Sequence, residues 1–157
     1  MKSMEYGSLV KEIHIAASPA VVYEVISTPE HIRQWWTDDA EFALVAGGTG
    51  TLTFSNRART RPGVVPLTVL EAVPGKRFVF RWDYGSDPAP TPENSLLVTF
   101  ELIADGDGTL LRVTEDGFRE RGREATVLED YYRRHDDGWD VHLADLRMYT
   151  ELTAALR

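Results

Sequence analysis

Two changes of period divide the chain into three stretches. Residues 9–16 set Val10, Ile13 and Ile15 against Lys11, Glu12 and His14 and read as a first strand. Ser18-Pro19 then marks a helix entry, a hydroxyl cap followed by proline at the first helical position. Val21, Val22, Val25 and Ile26 follow at helical spacing. Thr28-Pro29 repeats the signal for a second short helix through Ile32, Trp35 and Trp36.

The period then falls to two. Residues 41–45 and 49–54 flank Gly47-Gly48, a turn in which positive φ angles carry no steric penalty. Residues 64–73 and 76–84 surround Pro74-Gly75, and residues 96–103 and 109–116 surround Asp105-Gly106-Asp107-Gly108. A polar, proline-rich loop fills residues 85–94. The helical period returns with Trp139, Leu143, Leu146 and Tyr149 on one stripe, Leu152 and Leu156 drifting beside it. Asp140, Arg147 and Glu151 fall on the opposite side. Gly138 is the expected start of this helix, or a bend in it. Strand, two short helices, about six antiparallel strands and one long helix make an α+β chain. Its sheet needs one face covered, and the amphipathic C-terminal helix is the cover.

One strand carries the strongest pattern. Phe78, Phe80, Trp82 and Tyr84 alternate with Arg77, Val79, Arg81 and Asp83, so four rings are expected on one sheet face. A helix, a second sheet or a bound apolar ligand must cover so wide an apolar surface. Phe78 and Phe80 are expected under the helix. Trp82 and Tyr84, nearer the loop and each with a polar group, are expected to line a pocket. Trp35 and Trp36 are adjacent, and adjacent helical positions do not share a face. One is therefore expected in the core and the other partly exposed, as a lid over the pocket mouth or a staple between helix and sheet.

Composition narrows the function classes. With 157 residues and 43% apolar content, residues 1–157 read as one domain with a core that needs neither disulfides nor metals. The sequence contains no cysteine, which removes disulfide frameworks, thiolate zinc sites, iron–sulfur clusters and cysteine nucleophiles. That usage fits the reducing cytoplasm. Residues 1–10 hold too few apolar side chains for a signal peptide, and no later run approaches the length of a membrane span, so membrane insertion is not expected. A net charge of −8 argues against nucleic-acid partners.

Candidate chemistry is sparse. Thr109, Leu111, Val113 and Glu115 share one strand face, and if Leu111 and Val113 point inward, Glu115 is a carboxylate at the cavity end, suited to acid or base work. The other reading is a solvated or ion-paired strand end. His142, one residue before Leu143, is either a boundary residue or a proton-handling partner for Glu115. His135 lies seven residues earlier and shares that face only if the helix runs unbroken through Gly138. No third ligand stands at metal-type spacing, so no metal or cofactor is expected. Arg57, Arg59 and Arg61 alternate, as a solvated hairpin end or as a clamp for a ligand carboxylate. Gly-rich phosphate loops, a nucleophile elbow and HExxH are all missing.

Several local signs, in order, resemble the helix-grip superfamily of START domains and the major birch-pollen allergen, called SRPBCC. They are Ala17-Ser18-Pro19 with Val22, Pro29-Glu30 leading to Trp35-Trp36, Gly47-Gly48, Pro74-Gly75-Lys76-Arg77-Phe78, Gly108-Thr109, Gly117-Phe118, and Gly138-Trp139 with Leu143 and Leu146. Within that superfamily the chain resembles the branch of the heat-shock ATPase activator C-terminal domain. The resemblance implies a curved antiparallel sheet of about six to seven strands gripping the C-terminal helix, with a cavity between them. Members bind lipids, hormones and polyketides, and some are cyclases or hydrolases. A small apolar or amphipathic ligand held there would meet Trp36, Phe80, Trp82, Tyr84, Val98, Phe100, Val113, Trp139, Leu143 and Leu146. A homodimer is among the assemblies the sequence leaves open. The activator also has a separate N-terminal domain that contacts its chaperone. This sequence starts directly at the first strand, so a chaperone partner is not the expected role.

Overall fold

In the computed structural model, which describes residues 6–54 and 63–156, β1 (Ser8–Ile15) leads into α1 (Pro19–Ser27) and α2 (Pro29–Trp35). Ser18 caps α1 as its signal requires. Its hydroxyl accepts the Val21 amide at 3.3 Å, and Pro19 opens the helix without an amide hydrogen to leave unpaired. Thr28 enters α2 differently: its side chain makes no cap bond, and its carbonyl accepts the Ile32 amide at 2.9 Å.

Six strands follow: β2 (Asp39–Phe42), β3 (Thr49–Phe54), β4 (Gly63–Val73), β5 (Arg77–Trp82), β6 (Leu96–Asp105) and β7 (Gly108–Asp116). They form one curved sheet of order β1-β7-β6-β5-β4-β3-β2, each neighbour antiparallel. A bulge between Val69 and Glu71 breaks the β4–β5 register, and such a bulge bends and twists the strand that carries it. The β2–β3 turn rests on the same spot. Gly47 donates its amide to the Val69 carbonyl, and the Val69 amide donates to Gly48, both at 2.7 Å. Gly47 has φ +88°, and a Cβ on Gly48 would stand 2.1 Å from the Ala43 carbonyl oxygen, so both turn positions demand glycine.

α3 (Ala125–Ala155) covers the inner face. Cross-strand pairs Phe78–Phe100, Phe80–Val98 and Phe100–Val113 build the core, and the Phe100 and Trp139 rings meet edge to face at 5.9 Å. Leu143 and Leu146 are buried in the same layer. The helix-grip architecture and the α+β class expected from the sequence are therefore present.

Local expectations needed correction. α3 runs 31 residues straight through Gly138 rather than starting or bending there. Tyr131, Trp139, His142, Leu143 and Leu146 are all buried along it, and that burial outweighs a glycine cost of about 1 kcal/mol. β2 starts at Asp39 and ends at Phe42, because the Val45 amide turns back onto the Ala43 carbonyl at 2.9 Å. β5 stops at Trp82, since Asp83 takes φ +65° and breaks the alternation. Tyr84 remains buried, but its hydroxyl bonds Thr68 Oγ1 at 2.9 Å. Thr68 pairs with Arg81, on the sheet face opposite Leu67 and Val69, so Tyr84 leaves the row of Phe78, Phe80 and Trp82. Val79, which alternates with the rings beside Arg77 and Arg81, is also buried.

Candidate functional site

Between the ends of β3, β4 and β5 and the middle of α3 lies a cavity of about 310 Å³. Trp36, Phe54, Trp82 and Trp139 form its aromatic walls, and Val64, Val65 and Pro66 close the β4 side. Tyr131, Arg134, His135, Gly138 and His142 of α3 line the facing side, with Asp83 and Arg123 also in the lining. Gly138 joins that lining without a side chain of its own.

Glu115 settles the parity of β7. It pairs with Val98 on β6 and Leu9 on β1, within the inward row, and is completely buried. A buried carboxylate needs donors, and it has three. Trp82 Nε1 donates to Oε2 at 2.8 Å and Trp139 Nε1 to Oε1 at 2.8 Å, while His135 Nδ1 lies 3.0 Å from Oε1. The two tryptophans thus turn their rings to the cavity while their N–H groups fix a charge behind it.

Trp36 is the hub of the aromatic cluster. Its ring packs against Trp35, Phe54, Trp82, Trp139 and His142, with centroids between 5.3 and 6.1 Å. Trp35 and Trp36 are both buried, contrary to the helical expectation of one core and one exposed ring. The helix has ended: Trp36 has φ −120° and ψ −60°, which lets the two indoles stack at 5.4 Å. Trp35 Nε1 donates to the Val25 carbonyl at 3.0 Å, whereas the buried Trp36 Nε1 has no hydrogen-bond partner among the described residues. His142 is buried too, beside Trp36 and Trp139. Burial, and then the neighbouring His135, push its imidazole down to about 4, so it is neutral near pH 7.

Polar groups order one end of the cavity. The Tyr131 hydroxyl donates to Asp83 Oδ2, and burial reinforced by that carboxylate pushes the phenol far above its ordinary range. Arg121 donates to the carbonyls of Asp83 and Asn94 at 3.0 and 2.8 Å. Arg123 lies 4.2 Å over the Tyr131 ring.

Of the side chains singled out from the sequence, Trp36, Trp82, Trp139 and His142 line the cavity. Phe80, Val98, Phe100, Val113, Leu143 and Leu146 are buried in the core but are not among its lining residues. Tyr84 stands on the other sheet face. Glu115 meets His135 rather than His142, which is absent from its hydrogen-bond partners. Arg57, Arg59 and Arg61 lie outside the described residues. Sequence reasoning missed Tyr131 and set His135 aside. The spacing of Tyr131, His135, Gly138, Trp139, His142 and Leu146 was the available signal, a continuous stripe once glycine is allowed in the helix. Among the described residues, no group of three or more His, Cys, Asp or Glu side chains is placed to hold a metal ion. No helix among them is long and apolar enough to cross a membrane.

Solved structures share this architecture. Protein MLL2253 from Mesorhizobium loti is 23% identical over 90% of this chain and 94% of that one, with a TM-score of 0.73. The Aha1 dimer from Colwellia psychrerythraea is 24% identical over 92% and 96%, also at 0.73. CalU16 from Micromonospora echinospora is 21% identical over 90% and 73%, at 0.65. These likenesses are of fold. No functionally curated protein matches the chain. Residues 16–151, from the end of β1 to the last turns of α3, match the family described as "Activator of Hsp90 ATPase homolog 1-like protein", and the chain belongs to that family.

Proposed function

We propose that this protein binds a small amphipathic molecule in the cavity between the sheet and α3. The observation that carries the reading is the buried Trp36 N–H, which has no hydrogen-bond partner among the described residues and belongs to a ring that lines the cavity. Burying such a donor without an acceptor costs about 1–3 kcal/mol, which a ligand oxygen would recover. The volume sits at the lower end of the range of roughly 300–1,000 Å³ for small-molecule sites, so the ligand is a compact ring system rather than a long lipid. A reducing compartment, the cytoplasm, belongs to this reading, given the absence of cysteine.

Three of the four tryptophans line the cavity, so intrinsic fluorescence reports its occupation. Titration with a panel of small amphiphiles should give saturable quenching together with a raised melting temperature. Trp36→Phe, which keeps a ring and removes the donor, should weaken the best ligand about 5–10-fold, the worth of one hydrogen bond. Failure of every amphiphile to quench or stabilise the protein would sink the proposal.

A second reading concerns a partner of the same kind. The Colwellia relative is an Aha1 dimer. In this chain Met148 and Leu152 are exposed on α3, in a groove shared with Gln34 and Trp35. We propose self-association through that face.

A further inference from the structure

An indole nitrogen donates and never accepts. With Trp82 donating to Oε2 of Glu115 and Trp139 to Oε1, both oxygens act as acceptors, and assigning the hydrogen shared with His135 to Nδ1 gives the buried carboxylate its third donor. That choice of tautomer leaves the lone pair on Nε2. His135 lines the cavity, its side chain is 16% exposed, and Nε2 has no hydrogen-bond partner among the described residues. Edge contacts hold the ring in place, with Tyr131 at 4.6 Å, Phe118 at 5.5 Å and Trp82 at 6.0 Å. An imidazole oriented by a buried carboxylate, with its second nitrogen free in a ligand cavity, has the arrangement of a general base.

We propose that the cavity takes a hydroxyaromatic molecule and that His135, held by Glu115, removes the proton of its hydroxyl group. This inference rests on the ligand-binding reading above. The flat faces of Trp36, Trp82 and Trp139 suit an aromatic ring, and a phenolic O–H is the donor that Nε2 lacks. In the step the O–H bond breaks, an N–H bond forms at Nε2, and the electron pair stays on the ligand oxygen. The resulting imidazolium remains paired with Glu115 through Nδ1–H, so no further reactant is required. The titratable and charged groups around His135 come from several elements. Glu115 belongs to β7, Tyr131, Arg134 and His142 to α3, Asp83 to the loop after β5, and Arg123 to the approach to α3. Asp83 is engaged by the Tyr131 hydroxyl, and Arg134 also pairs with Asp130 at 3.0 Å. The two arginines favour the anion formed.

4-Nitrophenol is the probe, because quenching reads its binding and the visible absorbance of nitrophenolate reads its ionisation. On the wild-type chain the bound probe should ionise at least about one pH unit below the free probe, a tenfold rise in its acid dissociation constant. In His135→Phe, which keeps the ring contacts and both arginines, the shift should shrink at least about threefold in the acid dissociation constant. Glu115→Gln, checked for folding by circular dichroism, should also shrink the shift. The His135 variant carries the test by itself if the Glu115 variant does not fold. An unshifted bound probe on the wild-type chain, or a shift undiminished in His135→Phe, overturns the inference and leaves the pocket standing. If other amphiphiles quench and 4-nitrophenol does not, the hydroxyaromatic class is wrong. If none quenches, the ligand-binding reading itself falls.

Discussion

Burial and the neighbouring His135 push the His142 imidazole down to about 4 from its ordinary 6.5. The unfolded chain therefore takes up this proton more readily than the folded one. Stability from this residue is complete above pH 6.5 and is lost as pH falls toward 4. Between pH 7.5 and pH 4.5 the loss amounts to roughly 2–3 kcal/mol. Urea denaturation at those two pH values should show a larger acid penalty in the wild type than in His142→Gln, by that amount. Equal penalties would mean that the folded protein charges His142 without cost. At the same scale, Glu115 shows how residue type and burial combine. Its place in the strand alternation was readable, since Leu111 and Val113 fix the inward parity. Its three donors were not, because Trp82, Trp139 and His135 come from a strand and a helix far apart in sequence.

Among the elements, α3 decides the shape of the site. Trp139, Leu143 and Leu146 announced its C-terminal half through their spacing. Its N-terminal half, with Tyr131 and His135, stayed hidden because Gly138 is a poor helix former and local propensity takes no account of burial. That glycine now has a second meaning, since it lines the cavity. Gly138→Leu should fill part of the space and weaken amphiphile binding at least about tenfold, while a helix preference of about 1 kcal/mol keeps the melting temperature unchanged or higher. Fluorescence titration beside thermal melts checks both halves. Undiminished affinity would place the ligand elsewhere.

On the scale of the whole molecule, the sheet and α3 share one core in which every tryptophan is buried, while Met148 and Leu152 on the last turns of the helix and Leu156 at its C-cap remain exposed. Apolar side chains on the rim of a groove are a feature of contact surfaces. Sedimentation velocity over a range of concentrations should reveal a dimer, and Leu152→Asp should shift it toward monomer by placing like charges across a two-fold contact. A wild-type chain that stays monomeric at the highest concentration would remove the self-association reading.

Local signals in the chain were enough for the class of the fold, the order of its elements and the inward row of Phe78, Phe80 and Trp82. Those properties follow from side-chain period and from turn and cap residues, all of them local. The tertiary structure alone decided where the aromatic row ends and which groups meet in the cavity. Asp83 leaves the strand at φ +65° and sends Tyr84 to the other face. Trp36 turns inward because α2 stops one residue before it. Glu115 finds His135 instead of His142 because α3 continues through Gly138 and sets the angle at which each histidine faces β7. Such partnerships depend on backbone geometry summed over many residues and on the burial of groups distant in sequence, neither of which a linear pattern encodes.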